Sequence, residues 1–377
     1  MVSFRTEELA KHSTSTDLGT VPSMSGITAE ESRLYDRQIR LWGATAQRRM
    51  KQAKVLLINM AATNVEVCKN LVLAGVSVSI VDTSLVSVED VGANFFVSAS
   101  DIGSSRAAAC AARARELNPF ASVNVLEGVD VAQLCAAASP SAHSTLEAHT
   151  VVCAVSASRA DRIALDAACR HAQRPFVCAE THGMIGAIFI DAGAAHEYVE
   201  TKAGGEAKKN GKRTLVQPSM AEVAAVDWSV AHRMAGPFGV PPAWFALEMQ
   251  AQLGEAADSD ADAAWGRAIA VSQSRGLDLG NAELGLYAAG VRAAFDTVRR
   301  SWGCEVGPVC AVLGGVLGQE VIKIISRTNA PVSNYMVYDA WRGEGREVYI
   351  ASKPPPKPPT PAASAVVDDG IECIECL

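Results

Sequence analysis

Short, largely apolar, strand-like runs recur along the first half of the chain, at Val55–Ile58, Val76–Val81, Val123–Leu126, Val151–Val155 and Phe176–Cys178. Between the earlier runs lie longer, helix-favouring stretches such as EVCKNLVLAGV and the Ala-rich RAAACAARARELNP. Val55–Ile58, Val151–Val155 and Phe176–Cys178 are wholly apolar, as a strand buried on both faces requires, and only Ser77, Ser79 and Asn124 interrupt the other two. The pattern therefore predicts an α/β fold, a Rossmann-like, largely parallel sheet with helices on both faces. After Gly186 two further strand-like runs, AIFID and HEYVE, are separated by short turns, which predicts antiparallel or mixed pairing in the later part of the sheet. Residues 31–50 have the composition of a helical lead-in.

The remaining stretches divide the chain. Residues 1–29 are rich in Ser and Thr and hold no period, the composition of a disordered arm; Arg5 and Lys11 suggest a transit peptide, but Glu7, Glu8 and Asp17 count against one. Residues 30–218 form the first part of the α/β domain. Within them KAGGEAKKNGKR, residues 202–213, is expected to be a solvated, basic, Gly-containing loop rather than a nuclear signal. Residues 219–303 carry Trp228, Trp244, Trp265 and Trp302 among Ala, Leu and acidic residues, which predicts a helical insertion with its own small core. Residues 304–351 bring a closing helix and strands back to the domain. In 352–377 the prolines of KPPPKPPTPAA exclude helix interiors and ladder donation, so an extended linker precedes the acidic, apolar tail VVDDGIECIECL.

Composition narrows the class. With 377 residues, 49% of them hydrophobic, the chain can bury a large core, and its length allows two domains. A net charge of -7 and a pI near 5.6 argue against a general nucleic-acid binder, which needs a basic face to displace counterions. The ten cysteines lack the paired spacing of a zinc site, except for Cys373 and Cys376, and most are expected to be small buried hydrophobes in a reducing compartment. The apolar run Pro308–Leu317 is too short to span a bilayer.

Leu34 to Gly43 reads LYDRQIRLWG and is followed by the strand VLLI, a turn, EVCKNLVLAGV, the strand VSIVD, the loop TSLVSVEDVGANFF and IGSSRAAACAARARELNP; near the other end stand PVCAVLGGVLGQEVIKIIS and NYMVYDAWRGEG. In order and spacing these blocks resemble the adenylation domain of the ubiquitin-like-protein activating enzymes over about Glu30 to Ile350. Within that family the likeness is greatest to the smaller, non-catalytic subunits of the heterodimeric enzymes, the SUMO-activating branch before the NEDD8-activating one because the helical insertion is short.

The resemblance implies a site that has lost its chemistry. The first strand-to-helix turn, where a nucleotide fold wants glycines beside the phosphates, reads Asn59, Met60, Ala61, Ala62, Thr63, Asn64, without a glycine. Asn59 tolerates positive φ, whereas side chains at Ala62 and Asn64 are expected to crowd a pyrophosphate. Asp82 keeps the acid that binds ribose in the family. The family's triphosphate-holding Asn and Arg fall on Asp90 and Ala93, its Lys on Arg106 and its magnesium-binding Asp on Ser156. No cofactor or metal is thus expected in this chain; ATP and Mg2+ belong to the larger catalytic partner subunit, and SUMO joins through the complex. The same likeness gives Arg37 a role in trans, reaching the partner's ATP site as a planar, permanently charged donor fork. A bland alternative is a surface salt bridge from Arg37 to Asp36 or Glu31. Gln38 and Arg40 are expected to serve the interface. Work in the nucleus, with a cytoplasmic share, and no nucleic-acid or membrane partner complete the expectation. A self-sufficient adenylating homodimer is opposed by the degraded turn, Ala93 and Ser156. A nicotinamide-dependent oxidoreductase has only the strand-turn-helix and Asp82 in its favour.

Overall fold

In the computed structural model, residues 26–136, 139–201, 207–254 and 260–354 are described. The arm ahead of residue 26 and the linker and tail beyond 354 lie outside the described residues, as do 202–206 of the basic stretch. Three short helices lead in: α1 (Ala29–Leu34), α2 (Asp36–Trp42) and α3 (Ala44–Gln52). Thr28 caps α1 through a reciprocal pair of hydrogen bonds with Glu31, so Thr28 and Ala29 belong to the helical lead-in rather than to the arm expected over residues 1–29.

Strands and helices then alternate as the apolar runs predict: β1 (Lys54–Ile58), α4 (Ala62–Leu73), β2 (Ser77–Val81), α5 (Val88–Ala93), α6 (Arg106–Leu117), β3 (Val123–Val125), α7 (Val131–Cys135), α8 (Pro140–Glu147), β4 (Val151–Val155), α9 (Arg159–His171) and β5 (Phe176–His182). These five strands are parallel; β6 (Ile185–Asp191) returns antiparallel to β5. A ribbon of β7 (His196–Thr201) and β8 (Ala207–Leu215) follows, so most of the stretch expected to be a basic loop is a strand. Next come α10 (Met220–Ala224), α11 (Trp228–Met234), α12 (Pro242–Leu253), α13 (Ala261–Ser274), α14 (Gly285–Arg300), the long α15 (Gly307–Ser326), and the hairpin β9 (Tyr335–Asp339) and β10 (Glu344–Val348). The eight-stranded sheet has the order β10-β9-β6-β5-β4-β1-β2-β3, mixed at one end and parallel at the other.

Alternation along β1 shows why the runs are continuous. Val55 and Leu57 join the core under α4, α6 and α15, while Leu56 and Ile58 join the opposite core with Phe176, Phe189, Trp228, Trp244 and Phe245. The aromatic residues of 219–303 therefore do not form a separate core: Trp244 stands edge-on to Tyr335 of β9, and the insertion helices cover one face of the sheet. α15 is long and apolar enough to cross a membrane by composition, yet two thirds of it is buried, packed on α4. Its Gly314 permits that approach, since a Cβ there would meet the Thr63 carbonyl oxygen at 2.6 Å. At the lead-in, buried Tyr35 accepts a hydrogen bond from Asn118 Nδ2 at 2.8 Å and lies against Gly75, where φ is +85° and a Cβ would come within 2.7 Å of the hydroxyl. This packing fixes α2 on the body of the domain.

Candidate functional site

The turn after β1 keeps its shape without glycine. Asn59 takes φ 62° and donates from Nδ2 to Val155 O at 3.0 Å, while Met60 N donates to Asp82 Oδ2 at 2.7 Å. Asn64, fully buried, donates to Ile58 O and Asn59 O at 3.0 and 2.9 Å. Its side chain thus braces the turn from inside, and the expected crowding by Asn64 is corrected on that ground. Ala62 is buried as well. What stands at the first amides of α4 is a residue that the sequence did not single out: Ala62 N donates to Glu305 Oε2 at 2.8 Å and Thr63 N faces Glu305 Oε1 at 3.5 Å. Ala61, the N-cap residue, offers no side-chain acceptor, so a carboxylate from just before α15 takes that place.

Beside it lies a closed set of charges. Arg106, at the start of α6, donates from Nε to Asp82 Oδ2 at 2.7 Å and from Nη1 to Asp90 Oδ1 at 3.0 Å. Asp82 has no exposed side-chain surface, and its other oxygen accepts from Ser84 N at 2.9 Å. It is therefore committed to the fold rather than available to ribose, a correction to the family-based expectation. Asp90 caps α5 in a reciprocal pair with Ser87. Burial pulls the Arg106 pKa down, but the two flanking carboxylates outweigh it and the net shift is upward. For Glu305, burial pushes the carboxyl pKa up against the opposing pull of the two amides and of Arg106.

Ala93 ends α5 and brings no donor, and Ser156, exposed beyond β4 at φ 52°, offers only a hydroxyl. The structure thus brings Asp82, Asp90 and Arg106 together with the turn at 59–64. There Arg106 is paired with Asp82 and Asp90, and the first amides of α4 face Glu305.

Arg37 stands apart, exposed on α2, with no hydrogen-bond or ion-pair partner among the described residues. The two carboxylates that might have held it are engaged elsewhere: Asp36 pairs with Arg40 at 3.0 Å and Glu31 with Lys51 at 2.7 Å. The bland salt-bridge reading is thereby removed. Gln38 donates to Leu73 O at 3.3 Å and ties α2 to the end of α4.

The buried cysteines and histidines beside the sheet serve the fold. Cys153, Cys169 and Cys178 are buried, and burial raises their thiol pKa, that of Cys178 to about 12. His182 stacks on Trp302 at 3.7 Å between ring centroids and accepts from Gly303 N at 3.0 Å. Burial lowers the His196 pKa to about 4.

A doubly covered α/β sheet whose first strand-to-helix turn meets the carboxylates of Asp82 and Glu305 is an adenylation fold. Residues 35–359 match the ThiF family, and the chain belongs to it. It is 31% identical over 347 residues to "SUMO-activating enzyme subunit 1" of Bos taurus, covering 85% of this chain and 95% of that one. The Homo sapiens protein of the same name is 30% identical over 346 residues, covering 85% and 95%, and that of Danio rerio 30% over 351 residues, covering 87% and 97%. Among solved structures, "Crystal structure of E. coli MccB + Succinimide" aligns over 83% of this chain and 68% of that one at TM-score 0.48 and 13% identity, a distance at which the likeness decides nothing.

Proposed function

We propose that this chain is the non-catalytic subunit of a heterodimeric SUMO-activating enzyme. Its larger partner adenylates the modifier's C-terminal carboxylate with ATP and Mg2+ and then forms the thioester. The observation that carries the reading is likeness along nearly the whole length of relatives named as subunit 1 of that enzyme. The spent donors around Glu305 and Arg106 support assigning the chemistry to the partner. Unpartnered Arg37 supports a contribution in trans to the partner's ATP phosphates. The relatives favour SUMO over NEDD8, and the same reading puts the complex in the nucleus with a cytoplasmic share.

ATP–pyrophosphate exchange tests it. The purified chain is expected to give no exchange, and the chain with its large subunit SUMO-dependent exchange. Robust exchange by the chain alone would overturn the assignment.

A further inference from the structure

We propose that the Glu305 carboxylate is a built-in anion that closes the phosphate position of this chain, standing in for the ligand that this fold ordinarily takes at the helix after its first strand. The first amides of α4 and the helix dipole favour a negative group at that place, and Glu305 supplies it from 243 residues away in sequence. The side chain is not on a free arm. Its segment is pinned to the β5–β6 turn by Ser301 Oγ donating to His182 O at 3.0 Å, Gly183 N donating to Cys304 O at 2.9 Å and Gly303 N donating to His182 Nδ1, with Trp302 stacked on the His182 ring. A group held in advance pays less ordering entropy than an incoming anion. Asp82, Asp90 and Glu305 surround a single guanidinium, that of Arg106, so a triphosphate approaching the turn meets surplus negative charge as well as a filled cradle. The inference deepens the non-catalytic reading and rests on it for its biological meaning. Its test needs neither the partner nor catalysis, so the two can fail separately.

The experiment uses the full chain and inorganic phosphate against chloride at matched ionic strength. Glu305→Ala should lower the Tm by about 2 °C or more and speed hydrogen exchange at the Ala62 and Thr63 amides by about tenfold or more. Phosphate should recover roughly half or more of that loss, as expected for an anion binding the native state alone, while leaving the unmodified chain unmoved. Three results would overturn the proposal: a variant that melts like the parent, a loss that phosphate does not rescue, or equal rescue of both proteins. Should Glu305→Ala not fold, the parent decides through the same amides. Protection like that of the interior of α4 supports the built-in anion, and exchange at an open-loop rate removes it.

Discussion

At the scale of single residues, Arg37 offers the sharpest contrast between fold and function. It is exposed and has no partner among the described residues, so truncation to Ala should leave stability within about 0.5 kcal/mol. In the proposed heterodimer the same change removes a charge directed at phosphate. Exchange at subsaturating ATP should fall about tenfold or more, less than the ~10³–10⁵ that trans arginines contribute at hydrolytic sites. Lysine should rescue poorly because it lacks the bidentate fork. Arg40→Ala, which breaks only the exposed pair with Asp36, is the control. Unchanged exchange in Arg37→Ala would leave the arginine a solvated surface group and remove its role in trans. Most residues of the closed cluster were legible from their position after β1 and β2, because family spacing fixes them locally. Glu305 was not, since nothing in the residues around it signals a contact with amides so remote in sequence.

Among the elements, the strands were the most legible. Burial on both sheet faces writes an unbroken apolar run at β1 and β4, and β1, β2 and β4 fall within a residue of the runs expected for them. β8 escaped because the ribbon it forms with β7 stands outside the main sheet, so its sequence carries no apolar face. The shared core of the insertion escaped because Trp228 and Trp244 meet sheet residues only through tertiary packing. One junction of elements also has a pH dependence. Asp166 of α9 accepts Met220 N of α10 at 2.7 Å, while its Oδ1 is buried without a hydrogen-bond donor. Burial and then the Asp191 carboxylate of β6, itself held by Arg170 at 2.5 Å, raise the Asp166 pKa to about 8. The folded value lies above the unfolded one of about 3.9. Between the two the native state holds a proton that the unfolded chain lacks, so this group's contribution falls as pH rises from about 4 to about 8 and is flat beyond. Asp166→Asn keeps an acceptor for Met220 N and carries no such proton. Denaturant melts at pH 5, 7 and 9 should therefore show the parent losing stability relative to the variant. Parallel profiles would mean that Asp166 is ionised throughout.

Over the whole molecule, five of the thirteen large apolar side chains left exposed among the described residues lie on α1, α2, α4, α15 and just after α5. Leu34, Leu41, Leu73, Phe95 and Val312 are between 39% and 56% exposed. Gln38 joins α2 to Leu73, Lys69 of α4 lies 5.2 Å from the Phe95 ring centroid, and α15 packs along α4. Gly315 of α15 leaves open space. Exposed apolar side chains on these helices suit a permanent partner, and an obligate interface of more than about 2,000 Å² is expected there. Arg37 sits on the same lead-in helix, so a partner docked on this side brings its own site toward the unpaired guanidinium. Leu41→Glu should leave the melting of the isolated chain nearly unchanged, because the side chain is 56% exposed. It should weaken assembly with the large subunit by about tenfold to a hundredfold through a charge placed in a desolvated contact. Sizing with light scattering on the co-expressed pair reads this directly. Trp341→Glu supplies the control, an equally drastic change at a side chain 72% exposed on the β9–β10 turn, away from α2. Assembly that survives Leu41→Glu and is lost with Trp341→Glu would move the partner to the hairpin end of the sheet and separate Arg37 from the interface.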